Sequence, residues 1–261
     1  MKKLIIVACS IILASCTAVK QKSLSQEESQ DQLILATLWY QRSAEMKALY
    51  LQCYRNAEIA LAENLAWTGG EEPAAVILDI DETVLDNSPF EGWQVLENKP
   101  YNSGDWKRWV DLAIAAPLPG AVEFTRYADS LGVEVFYVSN RTVDEMGPTI
   151  QNMAALGFVN ADSTHMFLKE ATSSKVQRRA IIENEYDVLL LVGDNLADFS
   201  GIYESRGDDF GFAAVDADRE LFGTQYIILP NPMYGNWLNE LMNRSGKGTT
   251  REKLLRMLET F

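Results

Sequence analysis

Four short, almost entirely apolar segments constrain the fold of this chain most strongly. They cover residues 74–81, 132–139, 187–194 and 225–230. Such segments are typical of parallel strands that are buried on both faces of a sheet. Helical patterns separate them, over residues 121–131, 144–156 and 174–185. Because strands that alternate with helices form βαβ units, the sequence predicts an α/β fold with a parallel sheet. Residues 164–169 are expected to add a short strand.

Two other segments depart from this alternation. Residues 31–67 show apolar positions at a helical period without Gly or Pro, which predicts one long helix or two. Residues 86–119 are rich in Trp, Pro and polar residues and interrupt the pattern after the first strand. We expect residues 31–72 and the insertion at about 86–119 to form a smaller, mainly helical cap on a core of residues 73–261. A last helix is expected over residues 250–261.

The N-terminus has the pattern of an export signal. Lys2 and Lys3 precede an apolar run over residues 4–13, which is too short to span a bilayer. Leu13-Ala14-Ser15-Cys16 resembles the bacterial lipobox, which implies a signal peptide over residues 1–15 and a lipidated tether over residues 16–30. Thr17 then favours sorting to the outer membrane. The alternative is an ordinary signal peptide with a cysteine present by chance.

Charge and composition exclude several classes of function. The formal net charge is −14, which argues against a nucleic acid polymer as partner because such partners need a basic surface. The single histidine excludes a zinc site built from several histidines, and three cysteines cannot form a disulfide framework. We therefore expect any catalysis to depend on carboxylates.

Polar and charged side chains fall at or near the ends of the predicted strands. They are Asp79, Asp81, Ser139, Asn140, Arg141, Lys175, Asp194 and Asp198. Ligands of an open parallel sheet bind at this edge. Clustered carboxylates repel one another unless a cation lies among them, and oxygen ligands without His or Cys favour Mg²⁺. Serine, lysine and arginine suit a phosphate group. The pattern indicates a phosphoryl-transfer site; the alternative is that these acids only cap helices and form turns.

Four motifs in order carry a resemblance to a known family. Asp79-Ile80-Asp81-Glu82-Thr83 resembles the D-x-D-x-T signature of the haloacid dehalogenase (HAD) superfamily. Ser139 fits the second motif of that superfamily, Lys175 the third, and residues 193–198 the fourth. The D-x-D-E-T, V-S-N-R and G-D-N-x-x-D-F forms, with the lipobox, resemble bacterial class C acid phosphatases more narrowly. The resemblance implies a Rossmann-like core and an outer-membrane lipoprotein that hydrolyses phosphomonoesters.

The resemblance also implies a role for each motif residue. Asp79 corresponds to the nucleophile that forms an aspartyl-phosphate, and Asp81 to the general acid and base. Asp79, Asp194 and the Asp81 backbone carbonyl would hold Mg²⁺, with Asp198 supporting that site. Ser139 and Lys175 would bind the phosphoryl oxygens. Because Asp81 must carry a proton to act as an acid, activity is expected to favour mildly acidic pH.

Substrate selection is expected to involve residues at the mouth of the site. Asn140 and Arg141 are expected to bind substrate, although Arg141 could instead form a surface salt bridge. In the family, aromatic residues at the positions of Trp106 and Tyr234 stack on a base or an aromatic leaving group; the alternative is that they pack the cap against the core.

These expectations predict a Mg²⁺-dependent acid phosphatase that acts on 5′-nucleotides and aryl phosphates, and the family implies a homodimer. Two alternatives stay open. One is a non-catalytic surface lipoprotein or binding module on a HAD fold, and the other is a HAD phosphotransferase. Dehalogenation is disfavoured because dehalogenases lack the second aspartate of the first motif, which is Asp81 here.

Overall fold

The computed structural model describes residues 30–70 and 72–261. The predicted signal peptide, Cys16 and all of the tether except its last residue lie outside the described residues. The strands are β1 (Ala74–Leu78), β2 (Leu85–Asp86), β3 (Ala116–Pro117), β4 (Glu134–Thr142), β5 (Met166–Lys169), β6 (Asp187–Gly193) and β7 (Tyr226–Ile228). The helices are α1 (Gln32–Arg42), α2 (Ala44–Trp67), α3 (Ser88–Glu97), α4 (Ser103–Asp111), α5 (Ala121–Ser130), α6 (Met146–Leu156), α7 (Val176–Glu183), α8 (Phe212–Ala217), α9 (Asn236–Arg244) and α10 (Thr250–Arg256). Among the described helices, none is both long and apolar enough to cross a bilayer.

A five-stranded parallel sheet forms the centre of the protein, with strand order β5-β4-β1-β6-β7. This confirms the predicted α/β fold, including the short strand β5. Strand β1 pairs with β4 on one side and β6 on the other, so its carboxyl end lies at the middle of the sheet.

Both faces of the sheet are buried. Val76 and Leu78 of β1 face a large apolar cluster that includes residues of α2, α5 and α6. Ala75 and Ile77 face a second cluster with Ile182 of α7. Helices therefore cover both sides, which is why β1 has no polar residue before its end.

The N-terminal helical segment consists of two helices. Ser43 adopts an extended conformation between them, and its hydroxyl accepts a hydrogen bond from the Met46 N–H at 3.1 Å. We expected both helices in the cap. Helix α1 packs against α3 of the insertion, whereas α2 packs against α5, β6 and β7. The difference arises because α2 carries a buried stripe, including Tyr50 and Leu61, that completes the core on one face of the sheet.

The insertion after β1 contains α3 and α4. The antiparallel pair β2–β3 closes its base, with Leu85 opposite Pro117 and Asp86 opposite Ala116. The last helix is shorter than predicted and ends at Arg256. The residues that follow have little to pack against, since Leu258 and Phe261 are exposed.

Candidate active site

A tight turn after β1 positions Asp79 and Asp81. The Asp79 N–H donates a hydrogen bond to the Val192 carbonyl of β6 at 2.9 Å, which joins this turn to the neighbouring strand. The N–H groups of Val84 and Leu85 both donate to the Ile80 carbonyl at 2.9 Å. The strand therefore ends at Leu78, earlier than the predicted residue 81. Both aspartates reach the carboxyl edge of the sheet, where they line one cavity.

Two tyrosines of helix α2 stabilise this turn. The hydroxyl of Tyr50 donates to the Glu82 carbonyl at 2.5 Å, and that of Tyr54 donates to the Thr83 carbonyl at 2.7 Å. Glu82 itself is fully buried and has φ of 57°, a left-handed conformation that non-glycine residues rarely adopt. Two buried hydrogen bonds from α2 therefore stabilise the turn where its backbone conformation, at Glu82, is least favourable.

Three carboxylates, including that of Asp79, converge at the end of β1. Asp79, Asp194 and Asp198 each present an oxygen within 4.8 Å of the others. The ammonium of Lys175, which is 5% exposed, bonds to Asp79 and to Asp198, the latter at 2.6 Å. The described structure therefore brings the predicted first, third and fourth motifs together.

The electrostatics of this cluster favour a cation. Burial raises the pKa of Asp79 to about 7, against the opposing effect of the Lys175 ammonium. Burial, together with the charges of Asp198 and Asp79, also raises the pKa of Asp194 well above its ordinary value. Burial alone would lower the pKa of Lys175, but Asp198 and Asp79 outweigh it and raise that pKa, so the ammonium stays charged. A bound cation would relieve the remaining repulsion between the carboxylates.

Local hydrogen bonds orient the fourth motif. The Asn231 amide donates to Asp194 at 2.8 Å, and the Asn195 N–H donates to Asp198 at 2.9 Å. Gly193 is required at the end of β6, because a Cβ atom there would lie 2.6 Å from the Asp198 Cβ. The glycine therefore permits the close approach of Asp198 to the strand.

Asp81 lies in a separate set of contacts on the insertion side. Its Oδ1 atom accepts hydrogen bonds from the Asn87 amide and the Arg141 Nε, both at 2.9 Å, and its Oδ2 accepts from the Ser139 hydroxyl at 3.3 Å. Arg141 is buried and also donates to the Thr149 hydroxyl at 2.9 Å. The alternative of a surface salt bridge at Arg141 is therefore wrong.

The predicted residues meet around a cavity of about 810 Å³. Those that line it are Asp79, Asp81, Trp106, Asn140, Arg141, Lys175, Asp194, Asp198 and Tyr234. Ser139 is fully buried beneath it, where its hydroxyl oxygen also accepts from the Arg141 N–H at 3.1 Å.

The two predicted aromatic residues both line this cavity and pack. The Trp106 ring lies 5.7 Å from the Arg141 guanidinium carbon and edge-to-face with Phe90 at 5.3 Å. Tyr234 packs against the main apolar cluster. Each residue therefore has a structural role as well as access to the cavity.

Sequence reasoning missed several residues of this site. Asn87, which immediately precedes α3, joins Asp81 to Trp109: its amide donates to Asp81, and its Oδ1 accepts from the Trp109 indole N–H at 2.8 Å. Arg178 donates to the Ser139 carbonyl and to the Asn140 side chain, the latter at 2.7 Å. The spacing of Arg178, three residues after Lys175, places both on neighbouring positions of one helix end. That spacing could have indicated that Arg178 lies near the site. It does not indicate which residues the Arg178 guanidinium contacts.

Comparisons with known proteins agree with this geometry. Residues 3–237 match the family described as HAD superfamily, subfamily IIIB (acid phosphatase). The class C acid phosphatase from Bacillus anthracis superposes with a TM-score of 0.82 at 38% identity, over 89% of this chain and 98% of that one. Its structure with tungstate bound gives a TM-score of 0.83 at 36% identity, with the same coverage.

Curated relatives are more distant. The stem 31 kDa glycoprotein of Glycine max is 28% identical over 60% of this chain, and acid phosphatase 1 of Solanum lycopersicum is 26% identical over 60%. The matched region spans 58% and 57% of the lengths of these two relatives. The match to the family nevertheless covers most of the chain, from the N-terminal region through the fourth motif. The chain therefore belongs to the HAD superfamily, subfamily IIIB, the acid phosphatases.

Proposed function

We propose that this protein hydrolyses phosphomonoesters through an aspartyl-phosphate on Asp79. One observation carries the proposal: a buried carboxylate at the end of the central strand contacts a charged lysine, with a second aspartate two residues later in the same cavity. A lysine and a metal ion offset the repulsion between a carboxylate nucleophile and a phosphate anion.

The proposed metal is Mg²⁺. The donor set fits, because the carboxylates of Asp79, Asp194 and Asp198 converge within 4.8 Å, and the Asp81 backbone carbonyl lies on the same turn. The set contains only oxygen donors, which suit a hard cation such as Mg²⁺. When bound, Mg²⁺ would neutralise charge on the phosphoryl oxygens and help to present the phosphorus atom to Asp79.

The two aspartates have complementary roles in the proposed reaction. An oxygen of Asp79 attacks phosphorus and forms a new bond to it. The bond between phosphorus and the leaving oxygen breaks, and the leaving oxygen keeps the electron pair of that bond. Asp81 gives its proton to the leaving oxygen. Water then attacks the aspartyl-phosphate and gives a proton to Asp81, and the bond between phosphorus and Asp79 breaks to release phosphate. Asn87 and Arg141 hold the Oδ1 of Asp81, which leaves Oδ2, beside the Ser139 hydroxyl, to carry the proton.

Other residues bind the transferred group and the leaving group. Lys175 would contact the phosphoryl oxygens, and Asn140 and Arg141 border the same part of the cavity. Ser139, which the sequence predicts to bind these oxygens too, is fully buried beneath the cavity and would instead hold Asp81 and the Arg141 N–H. The tungstate complex of the Bacillus anthracis enzyme supports such a site, since tungstate is a tetrahedral oxyanion like phosphate. Trp106 and Tyr234 line the cavity, which supports 5′-nucleotides and aryl phosphates as substrates.

The proposal includes export to the bacterial outer membrane and lipid attachment at Cys16. The basic start, the apolar run over residues 4–13 and the lipobox pattern support it. The homodimer implied by the family also stays a prediction.

Release of inorganic phosphate tests the catalytic proposal. The purified protein with Mg²⁺ should release phosphate from a 5′-nucleotide and from phenyl phosphate between pH 5 and 7, and chelation should abolish the release. Asp79→Asn should abolish turnover with an unchanged circular dichroism spectrum. Asp129→Asn, on the exposed side of α5, is the matched control and should keep full activity. Turnover by a folded Asp79→Asn variant would refute the assignment of the nucleophile.

A further inference from the structure

A buried acid on the wall of the cavity has no role in the proposed reaction. Glu91 lies on α3 and is 5% exposed, yet it lines the same cavity as Asp81 and Trp106. Burial of a carboxylate costs free energy unless a partner compensates it, so an apolar residue would serve packing better at this position.

The helix places Glu91 beside the leaving-group part of the cavity. It lies one turn after Asn87, and its N–H contacts the Asn87 carbonyl at 3.4 Å. Asn87 in turn bonds to Asp81, which in the proposed reaction protonates the leaving oxygen. Asp81 and Glu91 line the same cavity, so a leaving group that extends from Asp81 toward α3 would meet Glu91.

Two neighbours of Glu91, Gln94 and Tyr101, line the same cavity. In the amide orientation that satisfies both neighbours, Gln94 joins Glu91 to Tyr101: its nitrogen donates to the Glu91 Oε2 at 3.0 Å and its oxygen accepts from the Tyr101 N–H at 2.6 Å. Burial raises the pKa of the Tyr101 hydroxyl, and the negative charges of Glu145, Asp81 and Glu91 add to that effect. The carboxylates of Asp81 and Glu91 are thus both close to one aromatic side chain of the cavity.

Only one oxygen of Glu91 has a partner among the described residues, namely the amide of Gln94. No basic side chain in residues 30–70 or 72–261 forms an ion pair with it, and burial is the cause of its raised pKa. Arg141, a cation of the same cavity, is already bonded to Asp81, Thr149 and Asn87. The other oxygen of Glu91 is therefore available to a donor from a ligand.

We propose that Glu91 determines specificity: its carboxylate accepts a hydrogen bond from an ammonium, amino or hydroxyl group on the leaving group and disfavours leaving groups with a further negative charge. This inference rests on the proposed phosphatase function and adds the class of substrate that the cavity selects. It explains why a buried carboxyl that forms no ion pair with a described residue lies in this cavity.

Three phenyl phosphates of similar size test the inference. Their para substituents are aminoethyl, hydroxyethyl and carboxymethyl, which are cationic, neutral and anionic, while the leaving phenols are similarly acidic. The values of kcat/KM are measured at pH 7.5, above the pKa of about 7 that burial gives Glu91. The comparison uses wild type, Glu91→Gln and Glu97→Gln. Glu97 is exposed on the same helix and is the matched control for the general charge of the protein.

Wild type should prefer the aminoethyl substrate over the carboxymethyl substrate. Glu91→Gln should reduce that ratio by about tenfold or more, since hydrogen bonds to charged groups contribute that much. Glu97→Gln should leave the ratio within about twofold, because exposed charges are well screened. Hydrolysis of the neutral substrate by Glu91→Gln shows that the variant is folded.

An unchanged ratio in an active Glu91→Gln variant would overturn the inference while leaving the proposed function intact. An equal loss of ratio in Glu97→Gln would also overturn it, because the effect would then be a general one. Failure of wild type to hydrolyse any of the three substrates, both at pH 7.5 and between pH 5 and 7, would refute the proposed function and the inference that rests on it.

Discussion

The burial of Glu91 predicts a specific pH dependence of stability. Burial raises the pKa of this carboxyl from its ordinary value of 4.5 to about 7 in the folded protein. The folded state therefore binds a proton that the unfolded state releases between these two values. The stabilisation that this proton gives the folded state is fully present below pH 4.5 and is lost as pH rises through 7. The wild type therefore loses stability between these two pH values.

The size of the effect follows from linkage. Between pH 5 and pH 8 the shift of Glu91 should cost the wild type about 2.5 kcal/mol of unfolding free energy. Glu91→Gln keeps the size of the side chain and its contact with Gln94 but has no proton to release. The stability of this variant relative to wild type should therefore rise by about 2.5 kcal/mol over the same range.

Urea denaturation at pH 5 and pH 8, with the same Mg²⁺ concentration throughout, measures this difference. Titration of Asp79, Asp194 and other acids is common to both proteins and cancels in the comparison. Glu97→Gln should show the same pH dependence as wild type, since that side chain is exposed. Parallel pH profiles for wild type and Glu91→Gln would refute the reasoning, because they would mean that the carboxyl is hydrated when the protein is folded.

Three further substitutions test the construction of the site. Lys175→Met should reduce kcat by about 100-fold or more and lower the free energy of unfolding by about 3–5 kcal/mol, because it leaves two buried carboxylates without their cation; near-normal steady-state kinetics would contradict this. Gly193→Ala should raise the Mg²⁺ concentration needed for half-maximal activity about tenfold or more, since the new Cβ displaces Asp198; an unchanged metal titration would show that the turn adjusts without cost. Tyr50→Phe removes the hydrogen bond to the Glu82 carbonyl and should lower stability by about 1–3 kcal/mol in urea denaturation; no change would mean that the turn holds its conformation without this bond.

The sheet was predictable because its strands are short and buried on both sides. Residues 74–78 are apolar without interruption, and the structure buries Val76 and Ile77 on opposite faces. The four motifs follow such strands or open the helix between them, so the topology alone brings them to one edge. The role of α2 was harder to predict, because a helical period shows that one face of the helix is buried but does not show which residues cover that face. Tyr50 and Tyr54 read as ordinary core residues, although their hydroxyls hold the turn after β1.

Asn87 and Arg178, which sequence reasoning missed, each contact a polar partner that is distant along the chain. Asn87 meets Arg141 and Arg178 meets Asn140 across separations of 54 and 38 residues. A sequence motif identifies a residue by the residues next to it in the chain. The two members of each of these pairs are too far apart for one motif to contain both. Glu91 is a different case, because its described partner Gln94 is three residues away and its other oxygen has no partner among the described residues. Such a group becomes visible only when the structure shows that it is buried, uncompensated and open to the cavity that the motifs surround.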